Sequence, residues 1–103
     1  MDTNELKGRA TSLTARIVGL RDRVYEYGKK NADFRDLTEI SRLIVELHLL
    51  QLDTDSLPSK IDILKTISET IVVEADIKNI EETIKDVEQK VAQMEAHARK
   101  MGI

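Results

Sequence analysis

His48 and His97 are the two imidazoles of a 103-residue chain that has no cysteine. Imidazole is the side chain best suited to proton transfer, phosphoryl acceptance or metal ligation near neutral pH. Neither histidine has a companion at His-x-x-x-His or Glu-x-x-His spacing, which would stack donors on adjacent helical turns. No serine lies in a Gly-x-Ser-x-Gly turn, and Gly8, Gly19, Gly28 and Gly102 are too dispersed to form a phosphate-cradling loop. The adjacent Glu81 and Glu82, and the pair Asp53 and Asp55, read as solvating carboxylates on polar surfaces. No catalytic residue, metal ligand or cofactor is therefore expected, and the chain reads as a non-enzyme.

His48 keeps one chemical alternative open. Helical-bundle phosphotransfer domains expose a phosphorylatable histidine on their second helix, followed by a lysine and a glycine that admit the partner. Here Leu49-Leu50-Gln51-Leu52-Asp53 follows instead, so phosphotransfer through His48 stands as an alternative and not as the main reading.

The elements that would position these residues are helical. The chain is 34% charged and 41% hydrophobic, with 3% aromatics, one proline and four glycines, a composition suited to a helical bundle and poor in what small β domains need. Its size supports one domain, spanning residues 1–103. Absence of cysteine excludes a disulfide scaffold and fits an intracellular protein. Residues 1–35 carry eight Lys and Arg against five Asp and Glu, a local +3, whereas residues 36–103 carry eight against fourteen, a local −6. The acidic part would repel phosphate, so nucleic acid is not an expected partner. No run is apolar enough for membrane insertion and Met1-Asp2-Thr3-Asn4-Glu5 opens no signal peptide, which makes a cytoplasmic location the expectation.

Leu6, Ala10, Leu13, Ile17, Leu20, Val24 and Tyr27 follow one another in steps of 4 and 3, the spacing of a knobs-into-holes seam. This predicts a helix over 3–30. A second helix is predicted over 34–54, with a core stripe of Leu37, Ile40, Leu43, Ile44, Leu47 and Leu50. Asp53-Thr54-Asp55-Ser56-Leu57-Pro58 reads as a turn, with Pro58 in the opening turn of a third helix over 58–100. In that last segment a seam begins as Ile61, Leu64, Ile67 and Ile71, then reappears as Ile77, Ile80, Ile84, Val87, Val91, Met94, Ala98 and Met101. The register slips by one residue between the two parts, so the helix is expected to bend or split near 72–76, a split giving four helices. The fold class is all-α, an antiparallel three-helix bundle with long coiled-coil-like helices. Arg9, Arg16 and Arg23 flank the first seam as Glu81, Glu88 and Glu95 flank the last, the charge pattern that pairs helices across a seam.

Two surfaces are candidates for partners. A stripe of Phe34, Val45, Leu49 and Leu52 falls nearly opposite the core stripe of the second helix, with His48 beside it. Either the third helix covers it or it binds another protein helix or a second copy of the chain. The seam of Ile77, Ile80, Ile84, Val87, Val91 and Met94 is expected to join a homodimer if the third helix outruns the others.

Leu49-Leu50-Gln51-Leu52-Asp53-Thr54, with Leu57-Pro58 closing the turn, resembles the second-helix ending of BAG domains, the three-helix co-chaperone modules that bind the nucleotide-binding domain of Hsp70. The resemblance covers residues 13–58 and implies an Hsp70-type chaperone as partner, with nucleotide exchange as the activity. It places Asp53 at the closing acidic position, offers Glu46 as the outward acid, and leaves Lys60 and Lys65 as the early basic residues of the third helix. The reading adopted from the residues is broader: a helical interaction or oligomerisation module of a larger assembly, of adaptor, tether or co-chaperone type.

Overall fold

Three stretches each carry one heptad-spaced apolar stripe, and burying all three at once requires a bundle. The computed structural model describes residues 3–30 and 34–100, side chains at 34–37 and 98 excepted. It has three helices, α1 (Thr3–Lys30), α2 (Phe34–Asp62) and α3 (Ile67–Lys100), and within 34–100 only 63–66 is non-helical. The bundle measures 53 × 19 × 16 Å. α1 and α2 run antiparallel, with Lys7 paired to Asp62 at one end and Gly28 against Ile40 at the other. α1 and α3 run parallel, since Arg9, Arg16 and Arg23 meet Glu81, Glu88 and Glu95 in the same order.

All seven residues expected in the first seam are buried. On α2 the buried series is Ile40, Leu43, Leu47, Leu50, Thr54, Leu57 and Ile61, again in steps of 3 and 4. Of the expected α2 stripe, Ile44 is only partly buried, and the side chain of Leu37 lies outside the described residues.

The expected turn at 53–58 is a correction. α2 continues through Pro58 to Asp62. A proline inside a helix forfeits one backbone hydrogen bond and crowds the carbonyl four residues back, a cost of about 3 kcal/mol. Burial offsets it, because Leu57 and Ile61 flank Pro58 in the core and each contributes about 1.5–3 kcal/mol when fully buried. The Thr54 hydroxyl, buried at a seam position, donates to the Gln51 carbonyl at 3.1 Å, and Ser56 donates to the Asp53 carbonyl at 2.8 Å.

The chain reverses at 63–66, not at 72–76, and α3 is unbroken through Val72–Asp76. The Leu64 N–H donates to the Ile61 carbonyl at 3.2 Å, tightening the end of α2. Thr66 then caps α3 by accepting the Glu69 N–H at 3.1 Å, while the Glu69 carboxylate accepts the Lys65 N–H at 2.8 Å. This is a variant of the reciprocal capping box, displaced by one residue on the return bond. The register slip thus separates two helices: Ile61 belongs to the α2 seam, whereas the α3 seam runs back from Ile77 to Val73. Ile67 and Ile71, expected in the seam, are exposed.

α3 has 34 residues beside 28 in α1 and 29 in α2, so it does not leave an uncovered C-terminal half. Ile77, Ile84, Val87 and Val91 are fully buried within the single chain, with Ile80 and Met94 packed against the same core. The premise that this seam would lie in water until a second chain covered it does not hold.

Candidate functional site

Among the described residues, large aliphatic side chains left exposed fall in two places, with Tyr25 exposed separately on α1. The first is the outer face of α2. Seam positions at Leu43, Leu47, Leu50, Thr54 and Leu57 turn toward α1 and α3, so residues midway between them must point away. Val45, Leu49 and Leu52 occupy those positions and are 58%, 55% and 54% exposed. His48 is exposed beside them. The α2 backbone includes Phe34, but its side chain lies outside the described residues. Of the further residues expected at a partner site, Asp53 is exposed beside the groove between α2 and α3, and Glu46 is half-buried.

The second place contains Ile67 and Ile71, which the expected seam assigns to the core. Ile63, Ile67, Ile71 and Val72 are all strongly exposed around the α2–α3 connection, Ile67 at 82%. A shallow hollow between Lys60, Ile63, Leu64, Glu69, Val72 and Asp76 lies beside them. The signal that could have found this end is Thr66-Ile67-Ser68-Glu69, a capping-box pattern that starts a helix and breaks the presumed seam at Ile67.

The three faces of the bundle differ in polar ties. Between α1 and α3, Arg16 Nε and Nη2 donate to Glu88 Oε1 at 3.1 and 2.8 Å. Arg9 pairs with Glu81, and Arg23 pairs with both carboxylate oxygens of Glu95. The hydrogen bond from Arg23 to Glu95 raises its guanidinium pKa above the ordinary value, with the nearby Glu95 and Glu88 charges adding to the effect and partial desolvation opposing it. Between α1 and α2, Arg21 donates to the Gln51 side-chain carbonyl at 2.6 Å and Lys7 pairs with Asp62. Between α2 and α3 no side-chain hydrogen bond or ion pair is found among the described residues. A groove opens there, lined by Leu50, Asp53, Leu57 and Lys60 on one helix and Asp76, Asn79, Ile80 and Thr83 on the other.

His48 and His97 lie on different helices, both exposed. Among the described residues no group of three or more His, Cys, Asp or Glu could hold a metal ion, and no helix is long and apolar enough to cross a membrane. Leu49-Leu50-Gln51-Leu52-Asp53-Thr54 lies mid-helix, so Asp53 does not close α2. Lys60 sits in the last turn of α2 and Lys65 in the connection, not early in a third helix. Comparisons with family models, curated proteins and solved structures find no match to this chain.

Proposed function

We propose that the chain is a non-enzymatic helical interaction module that works in the cytoplasm as an adaptor, tether or oligomerisation element of a larger assembly, and that it docks through the outer face of α2. The observation that carries this reading is the exposure of Val45, Leu49 and Leu52 on a helix whose core stripe is already satisfied. Aliphatic side chains aligned on one face of an exposed helix suit helix-on-helix recognition, in which anchors at i, i+4 and i+7 enter a partner's groove. Each leucine removed from water would contribute about 1.5–3 kcal/mol before the costs of association.

The test compares wild type with the Leu49→Ser, Leu52→Ser double variant. The reading expects unfolding free energies that agree within about 0.5 kcal/mol per site, as for surface changes, together with loss of a defined set of proteins that wild type retains in cells. An equal set retained by both would contradict it, as would a loss of about 2–5 kcal/mol per leucine, the signature of core residues.

A further inference from the structure

We infer that the groove between α2 and α3 is a second docking surface, and that its occupant is an amphipathic helix of another protein that carries Lys or Arg at both ends of a contact about four turns long. This surface is separate from the outer face of α2 and does not rest on that reading.

The groove is longer than one hollow. Lys60 and Asp76 line both the opening over Leu50, Leu57 and Ile80 and the hollow beside Ile63, Leu64 and Val72, so the two run into one another. The floor is aliphatic: Leu50 and Leu57 are buried, and Ile80 and Leu64 are half-buried. Ile63 and Val72 stand in the walls, 70% and 60% exposed. An apolar trough between two helices accepts a further helix, whose side chains at i, i+3, i+4 and i+7 enter it.

Charge on the banks selects the occupant. Asp53, Glu69 and Asp76 set three carboxylates against the single ammonium of Lys60, and all four side chains are exposed. Among the described residues none of the four is in an ion pair, whereas the arginines and glutamates between α1 and α3 neutralise one another. Lys60 and Asp76 share both hollows, so their charges offset each other midway along the groove. Asp53 lies seven residues before Lys60 on α2, and Glu69 lies seven residues before Asp76 on α3. Because α2 and α3 run antiparallel, these steps lead in opposite directions. One uncompensated carboxylate is left at each end, about 21 Å apart at 1.5 Å per residue. Glu69 Oε2 accepts the Lys65 N–H, and Oε1 accepts nothing among the described residues. A helix with Lys or Arg about 14 residues apart meets both carboxylates, and one with acids there is repelled at both ends.

The probes are two fluorescein-labelled peptides of about 18 residues, alike in a leucine face on an alanine and glutamine helix. They differ at two positions about four turns apart, both lysine in one peptide and both glutamate in the other. Fluorescence anisotropy at low salt is expected to show the lysine peptide binding roughly tenfold tighter than the glutamate peptide, with the gap closing as salt rises. Asp53→Lys should bring the two affinities together, since each peptide then meets one like and one opposite charge. Asn79→Trp, at an exposed position in the groove, should weaken both, and Leu52→Ser, on the outer face of α2, should weaken neither. Backbone amide shifts on adding the lysine peptide should concentrate in 50–64 and 72–83.

No binding of the lysine peptide up to millimolar concentration overturns the inference. So do equal affinities for the wild-type chain, an order of affinities indifferent to Asp53→Lys, or amide shifts centred on Val45 and Leu52 or on α1. The outer-face reading keeps its own test, the protein set lost by the Leu49→Ser, Leu52→Ser variant, so either reading can fail alone.

Discussion

Arg16 and Glu88 meet at 2.8 Å across 72 residues of sequence, and the same separation joins Arg9 to Glu81 and Arg23 to Glu95. A constant offset repeated every seven residues is what two parallel helices in one register must produce, so the ladder fixes the relative position of α1 and α3 along the bundle. Its side chains are about one-third exposed in the Arg16–Glu88 pair, and solvent screening keeps such a pair to about 0.2–1 kcal/mol. The ladder therefore selects register more than it stabilises.

A double-mutant cycle tests that division. Arg16→Ala and Glu88→Ala should couple by less than about 1 kcal/mol in urea unfolding, with the coupling shrinking as salt rises. Reversing one charge of each of the three pairs should cost more than the sum of neutralisations, and reversing both partners of each pair should recover most of the loss.

Pro58 supplies a second expectation. Its position inside α2, between the buried Leu57 and the half-turn leading to Ile61, means that Pro58→Ala restores a helical N–H and removes a clash. Thermal unfolding should show the alanine variant more stable, by up to about 3 kcal/mol. Were Pro58 in a turn, the same change would be neutral or destabilising.

Neighbouring leucines on α2 should behave in opposite ways. Leu47 is fully buried and Leu49 is more than half exposed. Leu47→Ala is expected to cost about 2–5 kcal/mol in denaturant unfolding, whereas Leu49→Ala should stay within about 0.5 kcal/mol.

Thr66 starts α3 without a glycine or proline before it. Removing its hydroxyl leaves the Glu69 N–H without that acceptor, so Thr66→Ala should cost about 1 kcal/mol. Amide exchange should speed up first over 67–70, while Ile84 and Val87 keep their protection until the whole bundle opens.

Much of this architecture is legible in the residues. The Leu6 to Tyr27 seam and the pairing of Arg9, Arg16 and Arg23 with Glu81, Glu88 and Glu95 follow from 3–4 spacing, because a helix face is a direct function of position. The α2–α3 boundary is obscured by two competing signals. Pro58 and the polar run before it read locally as a turn, but Thr54, Leu57 and Ile61 continue the α2 register, and tertiary burial overrides local propensity. The real boundary carries no strong breaker, only the Thr66 and Glu69 cap, and the spacing of Ile61, Leu64, Ile67 and Ile71 disguises it as core. The same disguise lengthens the last helix and turns the Ile77 to Met94 seam into an apparent dimer surface. The Val45, Leu49 and Leu52 stripe is legible as excess apolar circumference, but whether α3 covers it depends on where α3 begins and packs, and it stays exposed.

In-cell photocrosslinking at Leu52 tests the central claim most directly, with the same probe at Asp22, an exposed position on α1, as the control. The account predicts a discrete crosslinked protein product from Leu52, whether with a second copy or with another chain, and none of comparable yield from Asp22. No product at Leu52, or equal products at both positions, would contradict the assignment of the α2 outer face as the working surface.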